Sequence, residues 1–355
     1  MSLAQFLRTD DPSWMRALEL CEHDIYHLPA YASLEADWIK AEAMAFRFDN
    51  DRYTMVLPLL VRPTPGGIGF DAVTPYGYSS PVFTHGAPFE FMIEALQAYQ
   101  AAALERGLIT TFMRLHPILL EDLQAIIVKV SAGSWTQIAR GVTLTMPLSG
   151  EHDVWIKTVS NSHRRAIQRL LRNGCVFLLD SDEAWNSFPK IYRSTMERVG
   201  AMKSYYYSDE YLAGFRHDLS QYVHCGAVLD PAGEVMSAGL FTNVSGILQY
   251  HLGGTEEKFT KHSPLKLLFS SMRNWAQEHK MKHFHLGGGL GSAKDSLYEF
   301  KQQFGGETLM FRTVSVVHDE KAFMRECEHW CAKAQARSFD SNGFFPPYRA
   351  PYGKL

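Results

Sequence analysis

Apolar and polar residues alternate through AMAFRFDNDRYTMVLPLLVRP (43–63), broken by Asp49, Asn50 and Asp51, which predicts a β-hairpin. A helical period precedes it in PSWMRALELCEH. After it come a strand in GIGFDAV, the aromatic turn TPYGYSSP, a helix in FEFMIEALQAYQAAALERG, a strand in TTFMRLHP, a short helix near LEDLQAIIV and a strand in GVTLTMPLS. The second half repeats this order. Helical patterns in VWIKTVSNSHRRAIQRLLRNG and EAWNSFPKIYRSTMERVG lead to strands in VHCGAVLD and EVMSAGLFTNV, joined by the turn DPAGE. Then follow a strand in GILQYHLGG, a helix in SPLKLLFSSMRNWAQEHK, a strand in KHFHLGG, a helix in SLYEFKQQF and a strand in LMFRTVSVV.

Each half therefore predicts a hairpin, a further strand, and a helix crossing to another strand: a βαβ crossover added to a meander, hence a mixed α/β fold. The halves share an order of elements and almost no residues. The small residues Ser149 and Gly150 mark the expected junction, giving domains 1–150 and 151–318, followed by a C-terminal helix and an aromatic, Pro-rich tail over 319–355. That tail is expected to pack in extended form or to be disordered, and no activity is assigned to it.

At 355 residues the chain is long enough for two cores, and 46% hydrophobic content suits a packed globular protein. No apolar run has the length of a membrane span, and MSLAQFLRTDDPSW has no export-signal pattern, so the expected compartment is the cytoplasm. Five scattered cysteines read as reduced thiols; Cys327 and Cys331, one helical turn apart, fit a buried helix face. No metal site is expected. A net charge of −3 gives no global attraction for nucleic acid, so any polyanion must be held locally.

Local positive charge exists in KTVSNSHRRAIQRLLRNG. Lys157, Arg164, Arg165, Arg169 and Arg172 lie in a stretch without an acid, and three of the arginines recur at helical spacing, so they form either a phosphate-binding stripe or a solvated basic face. In HLGGGLGS, Gly288 and Gly289 either let backbone amides approach an anion or make a turn. Phe300 and Phe304, four residues apart, fit a helix anchored in a core with Lys301 turned to solvent. His251, His283 and His285 lie on strands; one of them, or Asp71, is a candidate proton acceptor.

YHLGGT (250–255), FHLGGGLG (284–291) and LYEFKQQFGGE (297–307) together resemble the FemABX aminoacyltransferase family in its compact FemX-type form, without a long coiled-coil insertion. The likeness covers about 150–318, with a looser one at DAVTPYGYSSPVF. It implies two GNAT-fold domains in tandem and transfer of an aminoacyl group from aminoacyl-tRNA to an amine of a nucleotide-linked muropeptide or another small acceptor, with no tightly bound cofactor. By the same resemblance, Lys301 of the FKxxFG motif stabilises the anionic tetrahedral intermediate and Phe300 shapes the pocket. Arg198 holds substrate phosphates, Tyr205, Tyr206 and Tyr207 line the cleft, Tyr76 and Tyr78 belong to the aromatic turn, and the basic helix takes tRNA phosphates.

Two other readings stay open. One is an N-acyltransferase using acetyl-CoA. Such GNAT enzymes hold the CoA pyrophosphate on a Gly-rich loop ahead of a helix, whereas TEEKFTKHSP (255–264) has no glycine and carries Glu256 and Glu257. The other is a non-catalytic RNA- or peptide-binding protein on the same fold.

Overall fold

The computed structural model describes residues 2–130, 133–340 and 343–351. The chain folds as two compact units, one made of 1–140 and 310–355, the other of 141–309. In chain order the elements are β1 (Leu3–Arg8), α1 (Pro12–Leu18), α2 (Pro29–Ile39), β2 (Glu42–Asp49), β3 (Thr54–Pro63), β4 (Phe70–Val73), β5 (Val82–Phe83), α3 (Phe89–Glu105), β6 (Leu108–Arg114), α4 (Gln124–Val130) and β7 (Trp135–Met146). Then come α5 (His152–Trp155), α6 (Asn161–Arg172), β8 (Val176–Leu179), α7 (Asp182–Arg198), α8 (Asp209–His217), β9 (Val223–Leu229), β10 (Val235–Val244) and β11 (Ile247–Thr255). The last are α9 (Leu265–Glu278), β12 (His283–Gly287), α10 (Ser296–Gln302), β13 (Thr308–Val317) and α11 (Glu320–Ala334).

In the first unit β1, β2, β3 and β4 pair antiparallel in succession; β4 then pairs parallel with β6, and β6 antiparallel with the far end of β13. The β4–α3–β6 segment is the crossover expected from the sequence. β3 is buried through its first eight residues, so it is a central strand covered on both faces rather than a half-exposed alternating one. Helix α3 buries Phe91, Ala95, Leu96, Tyr99 and Ala103, a single stripe at helical spacing, against Phe46, Leu57 and Leu59.

The aromatic turn between β4 and β5 rests on a buried polar cluster. His116 Nε2 donates to Asp24 at 3.1 Å while its Nδ1 accepts the amides of Ile118 and Leu119, and His27 Nε2 donates to the carbonyl of Ser80 at 3.0 Å. With His27 Nδ1 accepting from the Asp24 amide, three of the four ring nitrogens hold backbone and the fourth, His116 Nε2, holds the Asp24 carboxylate. Gly77 has φ +108° and faces the Tyr26 ring where a side chain would strike it, so only glycine fits there.

The second unit orders its strands β7, β12, β11, β10, β9, β8. β11 and β12 run parallel around α9, the second crossover, and the others pair antiparallel. Leu144, Phe241, Leu248, Phe284 and Leu286 on one face of this sheet pack with Ile167 and Leu170 of α6, with Leu268, Phe269 and Met272 of α9, and with Tyr298 and Phe304. Helix α7 packs on β10 and β11.

The expected junction at Ser149 and Gly150 is a clamped segment inside the second unit. The buried Arg273 guanidinium donates to the carbonyls of Pro147, Ser149 and Gly150 and lies over Trp155, and the change of unit falls earlier, at 140/141 within β7. The C-terminal residues are part of the first unit. Tyr348 bonds Thr110 at 2.7 Å, Arg349 pairs with Asp71, and Trp330 donates to the carbonyl of Ala350. Asp71 is also bonded by Arg62 at 2.9 Å, so this carboxylate is an ion-pair centre rather than a free base. Glu326 of α11 is buried where Thr64, Gly66 and Ile68 of the β3–β4 turn donate to its carboxylate.

Candidate active site

Helix α10 is short, and its start is fixed by Asp295, whose carboxylate accepts the amide of Tyr298 and, from the glycine loop, that of Leu290, both at 2.9 Å. Its buried face is Tyr298 and Lys301, three residues apart, so the lysine points inward and only 5% of it is exposed. The solvent-facing orientation allowed by the Phe300–Phe304 spacing is not the one observed. Lys301 Nζ donates to the carbonyl of Gly288 at 2.6 Å and stands 5.7 Å from the centre of the Tyr250 ring. A carbonyl and an aromatic face are weak substitutes for water around an ammonium. Burial accordingly pushes the Lys301 pKa down to about 7, with the charge of Asp295 opposing the shift.

Phe300 is half-buried beside it, with ring centres 5.0 Å from His163, 5.9 Å from Phe269 and 5.6 Å from Phe304. Gly288 and Gly289 lie where the chain is closely packed. A side chain at 288 would meet the carbonyl of Val142 and one at 289 the carboxylate of Asp295, and it is the oxygen of Gly288 that engages the lysine.

Tyr250 of β11 was not singled out from the sequence. Its ring packs at 4.6 Å on Phe269, and Gly253 leaves room for its hydroxyl end. Tyr192 of α7 lies near it. Burial raises the Tyr192 pKa, with Tyr205 and Tyr250 adding to the effect, and the Tyr192 hydroxyl donates to the carbonyl of Tyr205 at 2.9 Å. Lys301 thus lies beside Tyr250, and Tyr192 holds the Tyr205 backbone. Tyr206 donates to the carbonyl of Met196. Tyr207 is buried, its ring stacked 4.1 Å from that of Tyr211.

Arg198 ends α7 with its guanidinium exposed, donating to the carbonyl of Thr255 at 3.1 Å; the Thr255 amide is taken by Thr195 Oγ1 at 3.1 Å. The end of β11 is therefore already bonded to α7. The following segment, Glu257–His262, is a 3₁₀ turn, with Glu256 facing Lys190 at 3.9 Å and Lys258 paired with Glu234.

Lys157, Arg165, Arg169 and Arg172 are exposed on or just before α6, and Arg164 is half-buried and bonded to Asn161. Lys266 at the start of α9 joins this group: burial first, then the charge of Arg169, lowers its pKa. Tyr76 and Tyr78 belong to the first unit, where Tyr76 lies under Arg114 and Tyr78 packs on Tyr26 and Phe311. His285 is buried with Nδ1 2.5 Å from Gln249 Oε1, His251 packs on Phe215, and His283 is exposed.

Residues 157–302 match the family model for the acetyltransferase (GNAT) domain. No curated protein matches the sequence. Among solved structures, FemX superposes with a TM-score of 0.70 at 14% identity, over 88% of this chain and 98% of FemX. L-PGS from Bacillus licheniformis gives 0.58 at 13% identity, over 88% and 94%. A tandem GNAT protein from the clavulanic acid biosynthesis pathway gives 0.50 at 8% identity, over 89% and 99%. The chain accordingly has the FemX-like tandem GNAT fold, and within its second unit residues 157–302 are similar to the acetyltransferase (GNAT) domain.

Proposed function

We propose that this protein transfers an aminoacyl group from aminoacyl-tRNA to an amine, on a peptidoglycan precursor such as a nucleotide-linked muropeptide or on another small acceptor. The amine nitrogen attacks the ester carbonyl and forms the new C–N bond. The carbonyl oxygen becomes anionic, and collapse of the intermediate breaks the ester C–O bond; the proton lost by the amine passes to the departing ribose oxygen, which leaves as a hydroxyl. Lys301 supplies positive charge beside the developing oxyanion, in surroundings dry enough to make one charge count. Phe300 and Tyr250 wall the pocket, Arg198 and Tyr205 take the acceptor, and Arg165, Arg169 and Arg172 with Lys157 and Arg164 take donor phosphates.

The observation that carries this reading is the burial of Lys301 against the Gly288 carbonyl, within an FKQQFG sequence like that of the Fem enzymes. The likeness of the fold to FemX supports it. Use of acetyl-CoA is disfavoured because Thr255 has both backbone atoms occupied by α7 and the turn after it has no glycine cradle.

The test is a competition between donors. Purified protein given a panel of amine acceptors is expected to transfer label from charged tRNA and not from acetyl-CoA. Label moving from acetyl-CoA alone refutes the proposal, and binding of charged tRNA with no transfer to any acceptor identifies a non-catalytic binding protein.

A further inference from the structure

At the C-terminal end of α10, the turn that holds Lys301, the carbonyls of Lys301 and Gln302 accept the amides of Phe304 and Gly305, and those of Phe300, Gln303 and Phe304 are taken by the segment that begins the basic helix. Trp155 Nε1 donates to the carbonyl of Phe304 at 3.2 Å. The Ser160 amide donates to the carbonyl of Gln303 at 2.9 Å, and the Ser160 hydroxyl bonds the Gln303 side chain while also accepting the His163 amide that starts α6. His163 completes the set. Its Nε2 lies 3.0 Å from the carbonyl of Phe300, so Nε2 carries the proton and donates.

His163 is 2% exposed, its ring rests 4.7 Å from Phe304, and its Nδ1 has no hydrogen-bond partner among the described residues. An imidazole held in this way donates through one nitrogen only. Desolvation, helped by the charge of Lys266, lowers its pKa to about 4, so it stays neutral near pH 7.

Building on the function proposed above, we infer that His163 is a positioning residue: from the basic helix it grips the carbonyl next to Lys301 and so holds the Lys301 ammonium on the Gly288 carbonyl. The same helix presents Arg165, Arg169 and Arg172 outward, so the element expected to take donor phosphates is also the one that fixes the charge meant for the oxyanion. The effect belongs in the rate of the bound complex rather than in donor affinity.

The experiment uses the full chain with His163→Ala and His163→Gln, the latter keeping an N–H donor at a similar reach. Two readouts are taken: the titration of Lys301 Nζ by NMR on lysine-labelled protein, with Lys301→Met assigning the signal, and kcat and KM with charged tRNA. His163→Ala is expected to move the Lys301 midpoint upward by a unit or more and to lower kcat about tenfold with KM within twofold. His163→Gln is expected to restore most of both, and it alone decides the matter should the alanine variant fail to fold. An unchanged Lys301 titration in folded His163→Ala, or a glutamine variant as impaired as the alanine one, overturns the inference. The NMR readout needs no turnover. An inactive parent with a His163-dependent Lys301 titration therefore refutes the aminoacyl-transfer reading and leaves the positioning role standing.

Discussion

A lysine with no carboxylate against it is expensive to bury, and at position 301 the cost has a defined pH window. Its pKa is about 7 in the folded chain and near 10.5 unfolded, so between those values the unfolded chain binds a proton that the folded chain does not. Stability attributable to this group therefore rises with pH from 7 to 10.5, and the full penalty applies below 7. Lys301→Met, an apolar residue of similar length, removes the penalty. In urea titrations its stability advantage is expected to be largest near pH 6 and to shrink by at most about 5 kcal/mol by pH 10.5. A pH-independent difference between parent and variant would mean that the ammonium is not desolvated. The sequence showed this residue's chemistry and not its direction: Phe300 and Phe304 define an apolar stripe at helical spacing, yet the buried face of α10 is Tyr298 and Lys301.

At the scale of elements, α10 is a seven-residue helix that depends on its ends. Asp295 serves two amides at the start and lends its charge to Lys301. Asp295→Ala is expected to lower stability by about 1–2 kcal/mol and to depress the Lys301 pKa further, measured by the same Nζ titration. A titration unmoved by the substitution would separate the cap from the lysine. The two βαβ crossovers were legible because α3 and α9 carry long amphipathic periods between apolar strands. Other elements were not. β1 is a short strand with no turn signal ahead of it. Helix α2 opens on Pro29 and has little amphipathic contrast, since it buries Glu35 along with Tyr31 and Ala32. Tyr250 and His163 gave no signal of their own, one lying in an ordinary strand pattern and the other inside a run of arginines; only packing brings them to Phe300 and Lys301.

At the scale of the whole molecule, the expected division at 150 rested on two small residues, but Arg273 binds that segment into the second unit. The first unit instead recovers residues 310–355, a return that no local pattern announces because the partners of Tyr348, Arg349 and Glu326 lie more than 230 residues earlier. The FemX-like likeness spans both units, whereas the match to the acetyltransferase (GNAT) domain and Lys301 lie in the second. The claim on which the functional account turns is that the Lys301 charge lowers the barrier to acyl transfer without contributing to donor binding. It is tested by single-turnover transfer from saturating charged tRNA with the parent and Lys301→Met at pH 7. The account predicts a loss of about 10²–10³ in rate with donor Kd unchanged; a variant that transfers at the parent's rate would contradict it.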